Sequence, residues 1–367
     1  MMLLFAFICF CVNGFAGELN PTSGPAPSMK TLDEVEPRIP IHEKDLPLFI
    51  TSPGSYYFAE DIYFKKDVLA AIVINTSNVT IDLCGFSLAG TKDCDYGIYC
   101  QELQNVRIHN GTIRTFKENG IHMPLHSHVV EDMRITDVSV GIYIGDKCRV
   151  NKCTVTCPED LGIRCGKNAV ISDCIVANYI KPECSTGIMC DENSNVFNCN
   201  VNYTVNKGII VGSYSRVNGC SVSMASDVGI YSQSSSVVSD CAVYGCGIGI
   251  QAEYDGYLYN NNVSSCSNYG IKLGYNNTVK NNKIRCSQKG VYGLYHNMII
   301  SNVINHSTTA VEVSGTNFIE ANIIKECSVG LNMTLNENFY LNNRIDTNVY
   351  DYQNESDDID GGGNLLF

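Results

Sequence analysis

The chain has 367 residues, 44% hydrophobic and 17% charged, with 31 Gly, 19 Cys and no Trp. That apolar content can bury a core, which excludes disorder, and the low charged fraction excludes a coiled coil. A formal net charge of −13 gives nucleic acid or an anionic membrane no electrostatic footing, so a polyanionic ligand would need a local basic patch or a bridging cation.

The apolar run from Met1 to Val12, followed by the small-x-small Gly14, Phe15, Ala16, resembles a signal peptide over residues 1–16. It is too short to span a bilayer, where about 20 residues are needed, and no later stretch reads as a membrane helix. The mature protein is therefore expected to be secreted, periplasmic or on the cell surface. Residues 17–45 form a proline-rich lead-in, because seven of the ten prolines lie between Pro21 and Pro53. Within it, Thr31 and Glu34 have capping-box spacing and predict a short N-terminal capping helix through Val35, ended by Pro37.

Beyond residue 80 the chain repeats. A β-branched, x, x, Cys or Asn, x, β-branched pattern starts at Ile81, Cys84 and Phe86 and recurs at spacings that settle to 20 or 21 residues. Its central slot holds Gly111 and Met133, then Cys153, Cys174, Cys199, Cys220 and Cys241, then Asn261, Asn282, Asn302, Asn322 and Asn343. A second marker, Gly followed by an aliphatic residue, runs in phase from Gly97 through Gly141, Gly162 and Gly270 to Gly330. Between markers, polar and apolar residues alternate at period 2, the signature of strands with one buried face. Short strands in coils of this length predict an all-β fold: a parallel β-helix of about 13 coils over residues 46–350, followed by an acidic, Gly-rich tail at 351–367. At about 4.8 Å per coil its length would be roughly 60 Å.

Stacked coils place the slot residues in one interior column, where Asn amides can hydrogen-bond from coil to coil and Cys acts as a small apolar residue. Seventeen cysteines lie between Cys84 and Cys327. Neighbouring coils would bring them near disulfide range, but a packing column of mostly free thiols is the expectation.

The segments APSMKTLDEVEP at 26–37, ITSPGSYY at 50–57 and VTIDLCGF at 79–86 resemble those of secreted bacterial right-handed parallel β-helix repeat proteins of the pectin-lyase-like superfamily. Cys84 departs from the resemblance, since such proteins usually carry Asn there. The resemblance implies right-handedness, an N-terminal cap and an extracytoplasmic setting. It leaves the reaction open, because the superfamily holds lyases, hydrolases, epimerases and adhesins.

Two residues past each Gly marker lies an outward column that includes Tyr99, His122, Tyr143, Arg164, Met189, Lys272, Tyr292 and Glu312. His122, Tyr143 and Arg164 stand on consecutive coils, as do Lys272, Tyr292 and Glu312. A His or Tyr base beside a charge-neutralising cation would suit β-elimination of a polyuronate, and a merely solvated strand face is the alternative. The paired aspartates of β-helical polygalacturonases and the Asp-rich calcium loop of pectate lyases are absent from the repeats. Asp191, Glu192, Glu253 and Asp255 sit at turns and could hold Ca²⁺, the one cofactor considered.

His122, His126 and His128 form the one histidine cluster, and a metal reading requires His126 and His128 to share a face. Tyr254, Tyr275 and Tyr295 could form a stacked ridge, joined by Tyr214. Nine Asn-x-Ser/Thr sequons, Asn75, Asn110, Asn202 and Asn276 among them, follow from Asn- and Ser-rich turns. The long loop from Ala177 to Thr186, near Arg164 and Met189, is the expected groove wall. Two functional readings follow: a polysaccharide-binding or polysaccharide-processing protein, with a uronate-lyase-like activity as its sharpest form, or a non-catalytic, adhesin-like surface rod. The partner expected is a polysaccharide or surface glycan, with no nucleic acid.

Overall fold

The computed structural model describes residues 37–367 other than 102, 157, 179–183, 287, 336, 354–357 and 367. The expected signal peptide and the capping helix through Val35 lie outside the described residues. From Ile39 the chain winds as a parallel β-solenoid of about 15 turns rather than 13, because coils on both flanks of the recognised repeat join it. Strand pairing begins with Ile39–Ile41 against Gly54–Phe58 and continues to Leu365–Leu366 against Arg344–Gln353. Among the described residues a single 3-10 turn, Glu43–Asp45, interrupts the strands at the N-terminal side.

Each coil contributes one short strand to each of three parallel sheets. One complete coil runs through Val140–Ile144, Arg149–Asn151 and Thr154–Thr156 before Leu161–Cys165 opens the next. The register is strict: Ile121 pairs with Ile142, Ile142 with Ile163 and Ile163 with Ile188, all fully buried. Period-2 alternation therefore becomes columns of like residues stacked one strand spacing apart. Fully burying each aliphatic side chain contributes about 1.5–3 kcal/mol.

The first sheet opens at the glycine markers. At Gly141 a Cβ would come within 2.5 Å of the Gly162 carbonyl oxygen and 2.5 Å of Val155 Cγ1. The marker is thus a close approach between successive coils, which only Gly or the occasional Ala allows.

All three corners share one device. At each, a residue in the left-handed region turns the chain, and the next residue points inward. At the corner between the second and third sheets, Lys152, Asp173 and Asn281 have φ of 51°, 55° and 56° and precede Cys153, Cys174 and Asn282. The asparagines there form a continuous ladder. Asn302 donates Nδ2–H to Asn322 Oδ1 at 3.0 Å and to the Val279 carbonyl at 2.9 Å. Its own Oδ1 accepts from Asn282 N and Nδ2 at 2.9 and 3.0 Å. One side chain thus closes the polar groups of two coils in a fully buried site.

The corner between the first and second sheets carries a second ladder that no motif announces. Asn277, Asn297, Asn317 and Asn338 pass the same amide bonds upward at 3.0–3.2 Å and end on Asp358 Oδ1. Nearer the N-terminus the slot holds Ser236, Ser215, Ser194, Ala169, Cys148 and His128.

All 16 described cysteines are free thiols. Cys153, Cys174 and Cys199 donate their S–H groups to the carbonyls of Asn151, Ser172 and Phe197 at 3.2–3.3 Å. Burial raises Cys94 and Cys100 to about 11 and Cys184 and Cys246 to about 12, so these thiols stay protonated and unreactive. Cys84 does not occupy the interior slot. Leu83 fills the core there, and Cys84, at φ 51°, takes the left-handed corner position with its side chain half-buried.

Replacing Asn302 with Ala orphans buried donors on Asn282 and a carbonyl on Val279. We expect Asn302→Ala to cost about 2–4 kcal/mol in urea unfolding, against about 1 kcal/mol for Cys199→Ala, which removes only a small apolar group. Equal losses would contradict the hydrogen-bonding role of the ladder.

Candidate functional site

The outward face of the first sheet carries a groove of about 360 Å³ lined by Tyr96, Asn119, His122, Val140, Tyr143, Leu161, Arg164 and Met189. His122, Tyr143, Arg164 and Met189 are in-register neighbours on four successive strands. The structure therefore brings the first expected triplet together in one concavity. Tyr96, Asn119, Val140 and Leu161 form a parallel column that the sequence reading did not single out. They immediately precede the glycine markers and line the same groove.

Aromatic rings build one end of the groove. Tyr96 and Tyr99 stack at 5.0 Å, Tyr99 and His122 at 5.3 Å, and Tyr143 meets His122 edge-on at 4.9 Å. Asn119, buried beneath them, places its amide nitrogen 2.8 Å from His122 Nδ1. With the amide donating, Nδ1 accepts and Nε2 bears the ring proton. Burial lowers the His122 pKa from the ordinary histidine value, so the ring is neutral at physiological pH and its Nε2–H is a hydrogen-bond donor.

Arg164 forms the opposite wall. Its Nη1 lies 2.9 Å from Asp191 Oδ1, and its Nη2 donates to Asp191 Oδ2 at 3.0 Å, a bidentate pair. Nη1 also donates to the Cys165 carbonyl at 2.9 Å. Asp191 lies two residues beyond Met189, in the same outward phase of the strand. Its neighbour Glu192 pairs with Lys167 at 3.0 Å, so both turn acids are spent on cations of the adjoining coil. Of the expected loop wall, residues 179–183 lie outside the described residues.

Lys272, Tyr292 and Glu312 are also in-register neighbours, about 24 Å along the solenoid from Arg164 at the strand spacing. Glu312 is held by Lys289 at 2.6 Å and by Asn332 Nδ2 at 3.3 Å, and Lys272 Nζ lies 5.7 Å from the Tyr269 ring centre. The two triplets are separate places on one face.

The three histidines do not converge. His128 is fully buried in the second corner column, where its Nδ1 accepts from Val106 N at 3.3 Å. His126 is paired with Gln104 Oε1 at 2.9 Å, and His122 lies in the groove. The metal reading placed His126 and His128 on one face, whereas the corner at Ser127, φ 65°, turns His128 into the core. Among the described residues, no three His, Cys, Asp or Glu side chains form a metal site. Tyr254, Tyr275 and Tyr295 do stack, at 5.6 and 5.8 Å with nearly parallel rings, while Tyr214 is 67% exposed. Among the described residues, no helix is long and apolar enough to cross a membrane.

Residues 119–255 and 186–318 match the family described as the right handed beta helix region, together more than half of the chain. Comparison with curated proteins finds no match. Among solved structures, the chain is similar to the catalytic unit of a thermostable GH87 α-1,3-glucanase from Streptomyces thermodiastaticus. That match has 12% identity and a TM-score of 0.48, over 89% of this chain and 62% of the glucanase, so this chain spans less than two thirds of that protein. It is also similar to a double mutant of the periplasmic alginate epimerase AlgG, at 10% identity and TM-score 0.47, over 90% and 84% of the two chains. The tailspike of E. coli bacteriophage HK620, solved with a pentasaccharide, matches at 12% identity and TM-score 0.41, over 86% and 60%. These superpositions are too loose to carry a residue or an activity across.

The histidines give a measurable pH dependence. Burial first, and then the nearby His126, lower His128 to about 4, against about 6.5 for an unfolded histidine. Below pH 6.5 the unfolded chain binds a proton that the folded chain refuses, so stability is full above pH 6.5 and falls as pH drops toward 4. The expected loss is roughly 3 kcal/mol, and His128→Asn should flatten that part of the urea-midpoint profile. An unchanged slope would contradict it.

Proposed function

On the scaffold of the right-handed β-helix family, to which this chain belongs, we propose that the Tyr96–His122–Tyr143–Arg164 groove binds a glycan outside the cytoplasm. The observation that supports this is the groove itself. Aromatic and aliphatic side chains make its floor, and a few fixed polar groups converge on it, the composition of a small-molecule site. Tyrosines present an apolar ring to the C–H face of a sugar and a hydroxyl to its edges. Strands about 4.8 Å apart repeat those contacts at close to the pitch of rings in an extended polysaccharide. The apolar N-terminal run is what favours the extracytoplasmic setting.

The geometry favours recognition over uronate elimination. A lyase needs an unoccupied base beside an unoccupied cation, whereas Asn119 occupies His122 Nδ1 and Asp191 occupies the Arg164 fork. The adhesin-like rod remains compatible with this reading, since a surface rod can carry a glycan groove.

Calorimetric titration with a panel of defined oligosaccharides tests the proposal. At least one should bind, and Tyr143→Ala should weaken it by about tenfold or more, the loss of one aromatic contact. Tyr214→Ala, on an exposed residue outside the groove, should leave the affinity unchanged. Silence across the panel, or a Tyr143→Ala protein that binds like the parent, would overturn it.

A further inference from the structure

The charge state of the groove points to its ligand class. We propose that the groove selects uncharged glycans over uronates and that Asp191 is the residue setting this preference, an inference that rests on the glycan-binding reading. Among the described residues, Arg164 is the one cation lining the groove. Its guanidinium is already committed in three directions, twice to Asp191 at 2.9 and 3.0 Å and once to the Cys165 carbonyl at 2.9 Å. A uronate carboxylate entering the groove would have to displace a carboxylate that the fold holds in bidentate geometry. A tethered partner wins that competition, because its translational freedom was lost on folding.

The remaining lining offers a uronate nothing in exchange. His122 is neutral, and Asn119, Tyr96, Val140, Tyr143, Leu161 and Met189 carry no charge. At the Tyr96 end, burial and then the carboxylates of Glu118 and Asp95 raise the tyrosine pKa, so that hydroxyl stays neutral. Among the described residues, an anionic sugar therefore meets no free counter-charge. An uncharged sugar loses nothing, since its hydroxyls can accept from His122 Nε2–H and pair with the Tyr143 hydroxyl.

Asp191 is a specificity residue on this account because its removal would convert the site. Asp191→Asn keeps the side chain's shape and backbone bonds but releases the guanidinium fork, the arrangement best matched to a carboxylate. The double variant Asp191→Asn/Arg164→Gln identifies the cation responsible.

Uncharged gluco- and manno-oligosaccharides and oligouronates of matched length serve as probes, titrated by calorimetry at low salt into the full chain and both variants. The parent should bind an uncharged probe more tightly than any uronate. Asp191→Asn should gain about tenfold or more for uronates with little change for the uncharged probe, and the double variant should lose that gain. Unfolding midpoints of all three confirm that folded protein is compared. A parent that prefers uronates, or an Asp191→Asn protein with unchanged selectivity, overturns the inference and leaves the glycan reading standing. A parent that binds no probe removes the glycan reading as well.

Discussion

Every corner of this solenoid faces the same constraint: an inward-turned residue must satisfy the coil beneath it and be satisfied by the coil above. Asn meets it with one amide, which donates twice and accepts twice at Asn302 and Asn322. An amide that skipped a coil would leave buried donors unpaired, at a cost of about 1–3 kcal/mol each. The ladders therefore forbid slippage of one coil against the next. Toward the N-terminus, thiols fill the same space and return their weak S–H bonds to local carbonyls. There the register rests on aliphatic columns and on the glycine approach.

Strict register gives the outer face its groove. Because coils cannot slip, His122, Tyr143, Arg164 and Met189 remain in line on adjoining strands. Tyr96, Val140 and Leu161, each just before a glycine marker, line the same concavity. A groove with fixed rings at one end and a pinned guanidinium at the other is the outward consequence of the inward packing. Its members come from successive coils, so no single loop could supply it.

The fold was legible because a stacked repeat writes the same residue type at the same phase, as the Cys-then-Asn column and the Gly marker do. The second corner column was illegible for the converse reason. His128, Cys148, Ala169, Ser194 and Gly256 share only small size or local satisfaction, and the amide pattern appears only from Asn277 onward. The outward triplet His122, Tyr143 and Arg164 could be read from phase alone. Its surroundings could not, since the bonds from Asn119 to His122 and from Asp191 to Arg164 depend on strand kinks and side-chain reach. Asp191 left one signal, its place two residues past Met189, and alternation would have set it diagonally across from Arg164. Cys84 misled because it kept the spacing of the slot while Leu83 took the interior.

The most direct test of the account is to locate the sugar on the protein. Chemical-shift mapping with a methyl- and aromatic-labelled chain and an uncharged oligosaccharide would report which side chains move. The account predicts shifts in Leu161, Met189 and Val140 methyls and in the Tyr96 and Tyr143 rings, with the Tyr254–Tyr275–Tyr295 stack and the Lys272 region still. Shifts confined to those two distant places, with the groove silent, would contradict it.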